Sequence, residues 1–293
     1  MARPAPSAER TVALLDFLAA HPDERFGLSE LARRLDMSKA TAHAITAALT
    51  DAGYLLRHPL DKRYSLGPAL VAVGNAAASR EFEVVDYARD EMRRLADELQ
   101  VLCVASATIG DEIVILGRSG DLGPLAPSVQ VGHRLPLAPP LGTVFMAWSA
   151  PEAIDSWLRR LGPGASDVEV ERYRAAIATV RRRGYSLALE ADARIRLGEA
   201  LSRPDEQIAA LVDDLGHEEY VLGELEHSSS YRLSLIAAPV FGTDRGIALV
   251  LTLFGFRDAL PAGAVPGLAE RLLEATHRVT KALSGRVADG GGP

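Results

Sequence analysis

Apolar residues first fall into helical spacing in SAERTVALLDFLAA, residues 7–20, where Val12, Leu15, Leu18 and Ala19 form one stripe and Ser7 is placed to cap it. His21-Pro22-Asp23 closes this helix, because proline disfavours the α conformation in the residue before it. In the following GLSELARRLDMSKATAHAITAALTDAGYL, Ser29 caps a short helix through Leu35 and Asp36-Met37 makes a tight turn. Ser38 then caps a second helix to about Ala52, which Gly53 stops as a C′ glycine. Ala42, Ile45 and Leu49 are its packing face, and residues 40, 43, 44 and 47 lie opposite. YLLRHPLDKRYSLG alternates apolar and basic residues around Pro59 and Asp61, the pattern of a β-hairpin with a charged tip. Two helices joined by a short turn and followed by a basic hairpin predict a winged helix-turn-helix over residues 1–67.

Residues 68–80 (PALVAVGNAAASR) read as an apolar linker helix, and residues 81–285 as a second, larger domain. That domain opens with an amphipathic helix through Val85, Ala88, Met92, Leu95 and Leu99. VLCVASAT and EIVILGR read as strands around a Gly110-Asp111 turn. Residues 141–148, 151–161 and ERYRAAIATVRRRGY are helical by pattern, the last ended by Gly184. LSLIAAPVFG and GIALVLTLFG suggest a strand pair, and Leu268, Leu272, Val279 and Leu283 mark a closing helix. The tail, residues 286–293, has nothing to bury and is expected to be disordered. The fold class is thus α+β.

Composition narrows the reading without changing it. The 293 residues are 48% hydrophobic and 24% charged, as in an ordinary globular protein. No run is long and apolar enough to span a bilayer, and the N-terminus lacks the apolar core of a signal peptide, so a cytoplasmic, non-membrane protein is expected. The net charge of −7 is unevenly spread: residues 1–80 hold ten Lys/Arg against eight Asp/Glu, and the remainder 22 against 31. The small domain is therefore the one free to approach a polyanion. The single Cys103, in an apolar strand, reads as a small buried hydrophobe. His217-Glu218-Glu219 with His227 could hold a metal but read better as a solvated loop; no metal and no cofactor are expected.

Taken in order, AERTVALLDFLAAHPDERFGLSELARRLDMSKATAHAITAALTDAGYLLRHPLDKRYSLGPALVAVG, PLAPPLGTVFMAW, VRRRGYSLALE and IAAPVFGTDRGIALVLTLFG resemble the IclR family of bacterial transcriptional regulators over nearly the whole chain. The resemblance implies a winged helix-turn-helix, a linker helix and a C-terminal effector-binding domain of GAF-like α/β fold with a mainly antiparallel sheet. It also implies a homodimer or homotetramer that binds a double-stranded DNA operator and responds to a small-molecule effector, often an organic or aromatic acid. Three departures stand out. His43 and Ala44 replace a tyrosine and an arginine common in relatives, and Ala138-Pro139-Pro140 and Gly142-Thr143 replace a His-Ala-Thr segment and a Gly-Lys pair. Some thirty extra residues, about 192–224, include a helical RPDEQIAALVDDLG. They could be a lid, an oligomer contact or a pocket wall.

The candidate DNA-binding residues are Ser38, Lys39, Thr41, His43 and Ala44 on the second helix and Arg57, Lys62 and Arg63 on the wing. Hydroxyls, ammonium and guanidinium groups grip phosphate, whereas an alanine-rich face makes few base contacts beyond thymine methyls. The alternative is a solvated helix and a bland charged hairpin. By resemblance, the effector pocket includes Leu141, Gly142, Thr143, Leu235, Thr252 and Phe254, which otherwise would be plain core. Leu235 and Phe254 predict an effector more apolar than a two- or three-carbon acid. Arg181, Arg182 and Arg183 end a helix, where cations suit the dipole without any ligand. No GxGxxG, Walker, GxSxG or paired-histidine motif marks an enzyme, so a non-enzymatic regulator is expected. An enzyme with a DNA-binding appendage, and a helix-turn-helix used for assembly, remain the alternatives.

Overall fold

The computed structural model describes residues 5–19, 21, 24–78, 83–120, 129–162, 164–190, 195–197, 200, 208–217, 221–226, 228–256 and 258–289. The chain divides into two compact units, Met1–Glu83 and Val84–Pro293.

The first unit is built from α1 (Pro6–Ala19), α2 (Leu28–Arg34), α3 (Lys39–Asp51), β1 (Leu55–Arg57), β2 (Tyr64–Leu66) and α4 (Ala69–Ala78). Its core gathers Leu14 and Leu18 of α1, Leu31 of α2, Ala42 and Ile45 of α3, and Leu55 and Tyr64 of the hairpin. Of the predicted α1 stripe, Leu18 is buried and Leu15 packs partly buried against the same core, but Val12 is 54% exposed and Leu14, outside the stripe, is fully buried. Apolar residues occupy so much of this helix that spacing allows more than one inward face, and packing against Phe26 and Leu31 selects the one through Leu14.

Two caps are corrected as well. The first helix already starts at Pro6, so Ser7 lies inside it, its carbonyl accepting the Thr11 hydroxyl at 2.8 Å. For α2 the N-cap is Gly27 rather than Ser29. The α3 cap is as predicted: Ser38 Oγ accepts from the Thr41 N–H at 3.1 Å. Gly53, at φ 74°, carries the chain out of the helix. The hairpin pairs β1 with β2 antiparallel, and Phe26 adds a further bridge, exchanging both backbone hydrogen bonds with Tyr64 at 3.1 and 2.8 Å. The wing is thereby tied to the segment that leads into α2.

The second unit opens with α5 (Glu83–Leu99), β3 (Leu102–Ile109), β4 (Glu112–Ser119) and β5 (Arg134–Pro136). Next come α6 (Thr143–Met146), α7 (Pro151–Leu158) with a 3-10 turn (Arg159–Leu161), α8 (Asp167–Arg183) and β6 (Ser186–Leu189). It ends with α9 (Ile208–His217), β7 (Ser230–Tyr231), β8 (Leu233–Phe241), β9 (Ile247–Phe254), β10 (Leu260–Pro261) and α10 (Val265–Asp289). Six strands form one sheet in the order β5-β4-β3-β9-β8-β6, each pairing antiparallel. The α+β class with an antiparallel sheet therefore stands as read.

Strand pleating sends alternate residues to opposite faces. Cys103, Ala105, Leu251 and Leu253 share one face, on which a side chain at Gly117 would meet Val85 and Met92 of α5. α10 lies beside α5, held by Arg278–Glu91 at 2.7 Å and Arg271–Glu98 at 2.8 Å, and packs against β8. The other face is covered by α6, α7, α8 and the loops between them, with Phe145, Trp157, Tyr173 and Ile177 at its centre.

Three more expectations change. The helix predicted over 141–148 is a single turn, Thr143–Met146, entered through Gly142 in the left-handed conformation. β5, β6, β7 and β10 have no counterpart in the sequence pattern; at two to four residues they are too short to show a period. The closing helix runs on to Asp289, so residues 286–289 are helical rather than disordered, and 290–293 lie outside the described residues. Within the extra segment, RPDEQIAALVDDLG forms α9 from Ile208, and residues 203–207 lie outside the described residues. So do Glu218, Glu219, His227 and the side chain of His217, the candidate metal group. No described helix is long and apolar enough to cross a membrane.

Candidate functional site

Helix α3 turns one face inward and leaves the other open. Ala42 and Ile45 are buried, and the buried Thr46 hydroxyl donates to the Ala42 carbonyl at 2.8 Å. Lys39, Ala40, His43 and Ala44 are exposed, with Thr41 and Ala47 half-buried beside them. Ser38 Oγ also lies 2.9 Å from Thr41 Oγ1, so the two hydroxyls form one polar cluster at the exposed start of the helix. The alanine-rich outward face predicted from sequence is thus present.

The wing presents Arg57, Lys62 and Arg63 on its surface, each braced from within. The Arg57 guanidinium sits 5.6 Å over the Tyr64 ring. Lys62 Nζ donates to the Pro59 carbonyl at 2.7 Å, and Arg63 Nη1 donates to the Arg25 carbonyl at 2.7 Å and lies 3.7 Å from Glu30. Asp61 shapes the tip by accepting from the Arg63 N–H at 3.0 Å; that bond, aided by His58, holds its carboxyl below the usual range. The cations are therefore positioned before any partner arrives. Sequence reasoning passes over Leu60, which is 86% exposed at the tip.

In the second unit, Leu141, Gly142, Thr143, Leu235, Thr252 and Phe254 come together around one cavity of about 120 Å³. The pleat explains the company they keep. Val104 and Ser106 on β3, Ile113 and Ile115 on β4, and Ser186 and Ala188 on β6 point to the same side of the sheet as Ala237, Val250 and Thr252. Ser106 and Ser186 escape the sequence reading, although each is a small polar residue alternating with apolar ones in a strand.

The loop at the cavity mouth is fixed from several directions. Gly142 sits at φ 83°, a conformation side chains rarely adopt, and a Cβ there would fall 2.3 Å from Leu137 Cδ1 and have to displace the end of that leucine. Thr143 Oγ1 donates to the Pro140 carbonyl at 2.8 Å. The fully buried Trp157 donates from Nε1 to the Leu141 carbonyl at 3.0 Å and meets Tyr173 edge-on at 5.6 Å. Tyr173 in turn donates its hydroxyl to the Gly216 carbonyl at 2.8 Å, alongside Arg172 at 2.9 Å. Burial pushes the Tyr173 phenol up to about 12, which keeps it a donor.

These bonds fasten α9 to α8, and the extra segment thereby becomes a wall of the cavity. Its Leu197 and Val221 line the space, and Val212 and Leu215 pack behind Leu197 and Ala188. Of lid, oligomer contact and pocket wall, the described part of this segment fits the pocket wall.

The arginine run does more than face a helix dipole. Arg183 donates to the Tyr185 and Gly223 carbonyls at 2.6 Å each and to Leu222 at 3.1 Å. Burial lowers its pKa from the usual guanidinium value. Arg181 holds the Ala147 carbonyl and Arg182 pairs with Glu224. Cys103 points away from the cavity, and burial pushes its thiol up to about 12, matching the reading as an inert hydrophobe.

Residues 7–59 match the IclR helix-turn-helix domain. The glycerol operon regulatory protein of Streptomyces griseus is 42% identical over 76 residues, which cover 26% of this chain and 30% of that protein. The HTH-type transcriptional regulator KdgR of Dickeya chrysanthemi is 25% identical over 185 residues, 61% of this chain and 60% of its own. The match thus spans less than two thirds of either relative. An IclR homolog from Microbacterium hydrocarbonoxydans, solved in complex with 4-hydroxybenzoate, shares the fold with a TM-score of 0.66 at 19% identity, over 95% of this chain and 99% of that one. Residues 7–59 of the first unit thus match the IclR helix-turn-helix domain, and beyond them the chain is similar to IclR-type regulators in sequence and in fold.

Proposed function

We propose that this protein is a DNA-binding transcriptional regulator that responds to a small organic effector. The observation that carries the reading is the exposed, N-capped face of α3 beside a wing of braced cations, within the segment matched by the helix-turn-helix model. In this reading residues 1–67 grip the operator, 68–80 connect, and 81–285 sense. Ser38, Lys39 and Thr41 meet phosphate at the start of α3, His43 and Ala44 face the bases, and Arg57, Lys62 and Arg63 hold the flanking backbone. The cavity around Leu141, Gly142, Thr143, Leu235, Thr252 and Phe254 takes the effector. The Microbacterium relative, which holds 4-hydroxybenzoate, supports a ligand of about one ring. A homo-oligomer acting in the cytoplasm would present two reading heads to a symmetric site.

Fluorescence anisotropy tests the DNA reading, using the full chain and labelled duplexes from upstream of its own coding sequence across a salt series. Arg57→Ala with Arg63→Ala should weaken binding to every duplex, and the salt slope should become shallower by about one for each phosphate left without its cation. An unchanged slope in a variant with native circular dichroism would remove the wing from the interface.

A further inference from the structure

We propose that Leu60, at the apex of the wing, is an apolar wedge that enters the minor groove of the operator duplex and kinks it between two base pairs. This rests on the reading of the first unit as the DNA-binding part, and it names a further residue of that interface and its role.

Exposure is the first observation. Leu60 is 86% exposed, more than any other large apolar side chain among the described residues. A single apolar residue scattered on a surface needs no partner. Leu60 is instead the projecting residue of a hairpin turn.

The second observation is how that turn is built. Its polar groups pair with one another. The His58 N–H donates to the Arg63 carbonyl at 2.8 Å, and the Lys62 N–H to the His58 carbonyl at 3.1 Å. The Arg63 N–H donates to Asp61 at 3.0 Å, Lys62 Nζ to the Pro59 carbonyl at 2.7 Å, and Asp61 lies 3.0 Å from His58 Nδ1. Pro59 fixes its own φ, and Lys62 takes φ 58° within the same turn. The apex is therefore preorganised, and little ordering entropy is lost when Leu60 is inserted.

Charge chooses the partner. Arg57, Lys62 and Arg63 flank the apex as exposed cations, while the carboxylate of the tip, Asp61, is already engaged by His58 and the Arg63 N–H. A leucine flanked by cations suits a polyanion with an apolar interior, and stacked base pairs between phosphate strands are that. The minor groove is roughly 6 Å wide, enough for one side chain at a hairpin apex and too narrow for a helix. Helix α3, with its small outward residues, suits the wider major groove, and β1 packs against α3. The wing thus stands beside the reading helix, with its apex toward the flanking groove. Inserted there, the leucine leaves water, partly unstacks one step and bends the duplex by roughly 20–90°, so that more of the backbone meets the protein. The cost of that bend depends on the sequence being bent, which adds discrimination that the alanine-rich face of α3 lacks.

The test uses the full chain and duplexes of about 30 base pairs tiled upstream of its own coding sequence, with a dye at each end. Anisotropy gives the affinity across a salt series, and energy transfer between the dyes gives the bend. The native chain should raise the transfer on binding. Leu60→Ala should weaken binding roughly tenfold and lower the transfer at saturation. Its salt slope should stay that of the native chain, because no phosphate loses a cation. At so exposed a position the thermal midpoint should not move. Leu60→Met, which keeps an apolar wedge, should retain both affinity and bend. A Leu60→Ala affinity within about twofold of native, a native complex without a bend, or a bend that Leu60→Ala leaves unchanged each overturns the proposal. So does a loss accompanied by a smaller assembled mass in light scattering, which would assign Leu60 to a contact between copies. A native chain that binds none of the duplexes defeats the DNA reading and the wedge with it, whereas native binding that Leu60→Ala leaves intact defeats the wedge alone.

Discussion

Trp157→Phe removes the donor that holds the cavity loop while keeping an aromatic ring in place. In the native protein the indole Nε1 donates to the Leu141 carbonyl at 3.0 Å, and the side chain is 1% exposed. Phenylalanine leaves that carbonyl without its partner in a buried setting, which costs about 1–3 kcal/mol. The smaller ring also leaves a void on the order of 40 Å³, worth ~1 kcal/mol at ~24 cal/mol per Å³. Together the loss is about 2–4 kcal/mol, and for a unit of this size the midpoint should fall by roughly 4–16 °C.

The same change at Trp148 is the control. That ring is half-buried, stacks edge-on with Phe241 at 5.4 Å, and has no side-chain hydrogen bond among the described residues. Trp148→Phe should therefore cost about 1 kcal/mol or less. Thermal and urea unfolding followed by circular dichroism would separate the two variants, with the DNA-free full chain as reference. Equal losses at both positions, or a loss below ~0.5 kcal/mol at Trp157, would falsify the claim that the indole hydrogen bond anchors the loop.

Leu14→Ala and Val12→Ala should part company although they lie two residues apart on α1. The first empties a fully buried site and should cost about 2–5 kcal/mol in urea unfolding, the second within ~0.5 kcal/mol; equal costs would contradict the rotated face. Cys103, buried and with its thiol pushed up to about 12, stays neutral throughout the physiological range. A thiol reagent at mildly alkaline pH should label it only after denaturation, and fast stoichiometric labelling of the native chain would contradict its burial.

Much of the first unit is legible in the sequence because its determinants are local. Ser38, the turn after Leu35, Gly53 and the alternation around Pro59 act within a few residues of the chain, so spacing and cap chemistry reveal them. Helix α1 shows the limit: an over-abundance of apolar residues leaves its inward face to be selected by Phe26 and Leu31. The cavity residues reached from sequence come through family resemblance, since nothing local sets Leu141 beside Thr252.

The sequence alone determined the helix-turn-helix, the wing, the strand pairs β3–β4 and β8–β9, and the unequal division of charge between the two parts of the chain. Only the tertiary structure decided which strands flank β3 and β9. It also decided that Ser106, Ser186 and Thr252 share one interior face, and that the extra segment closes it through Leu197 and Val221. The reason is that pleat and helical period assign a residue to a face, whereas register and crossover assign that face its neighbours. Those long-range pairings depend on burial across the whole sheet, which no short window of sequence contains.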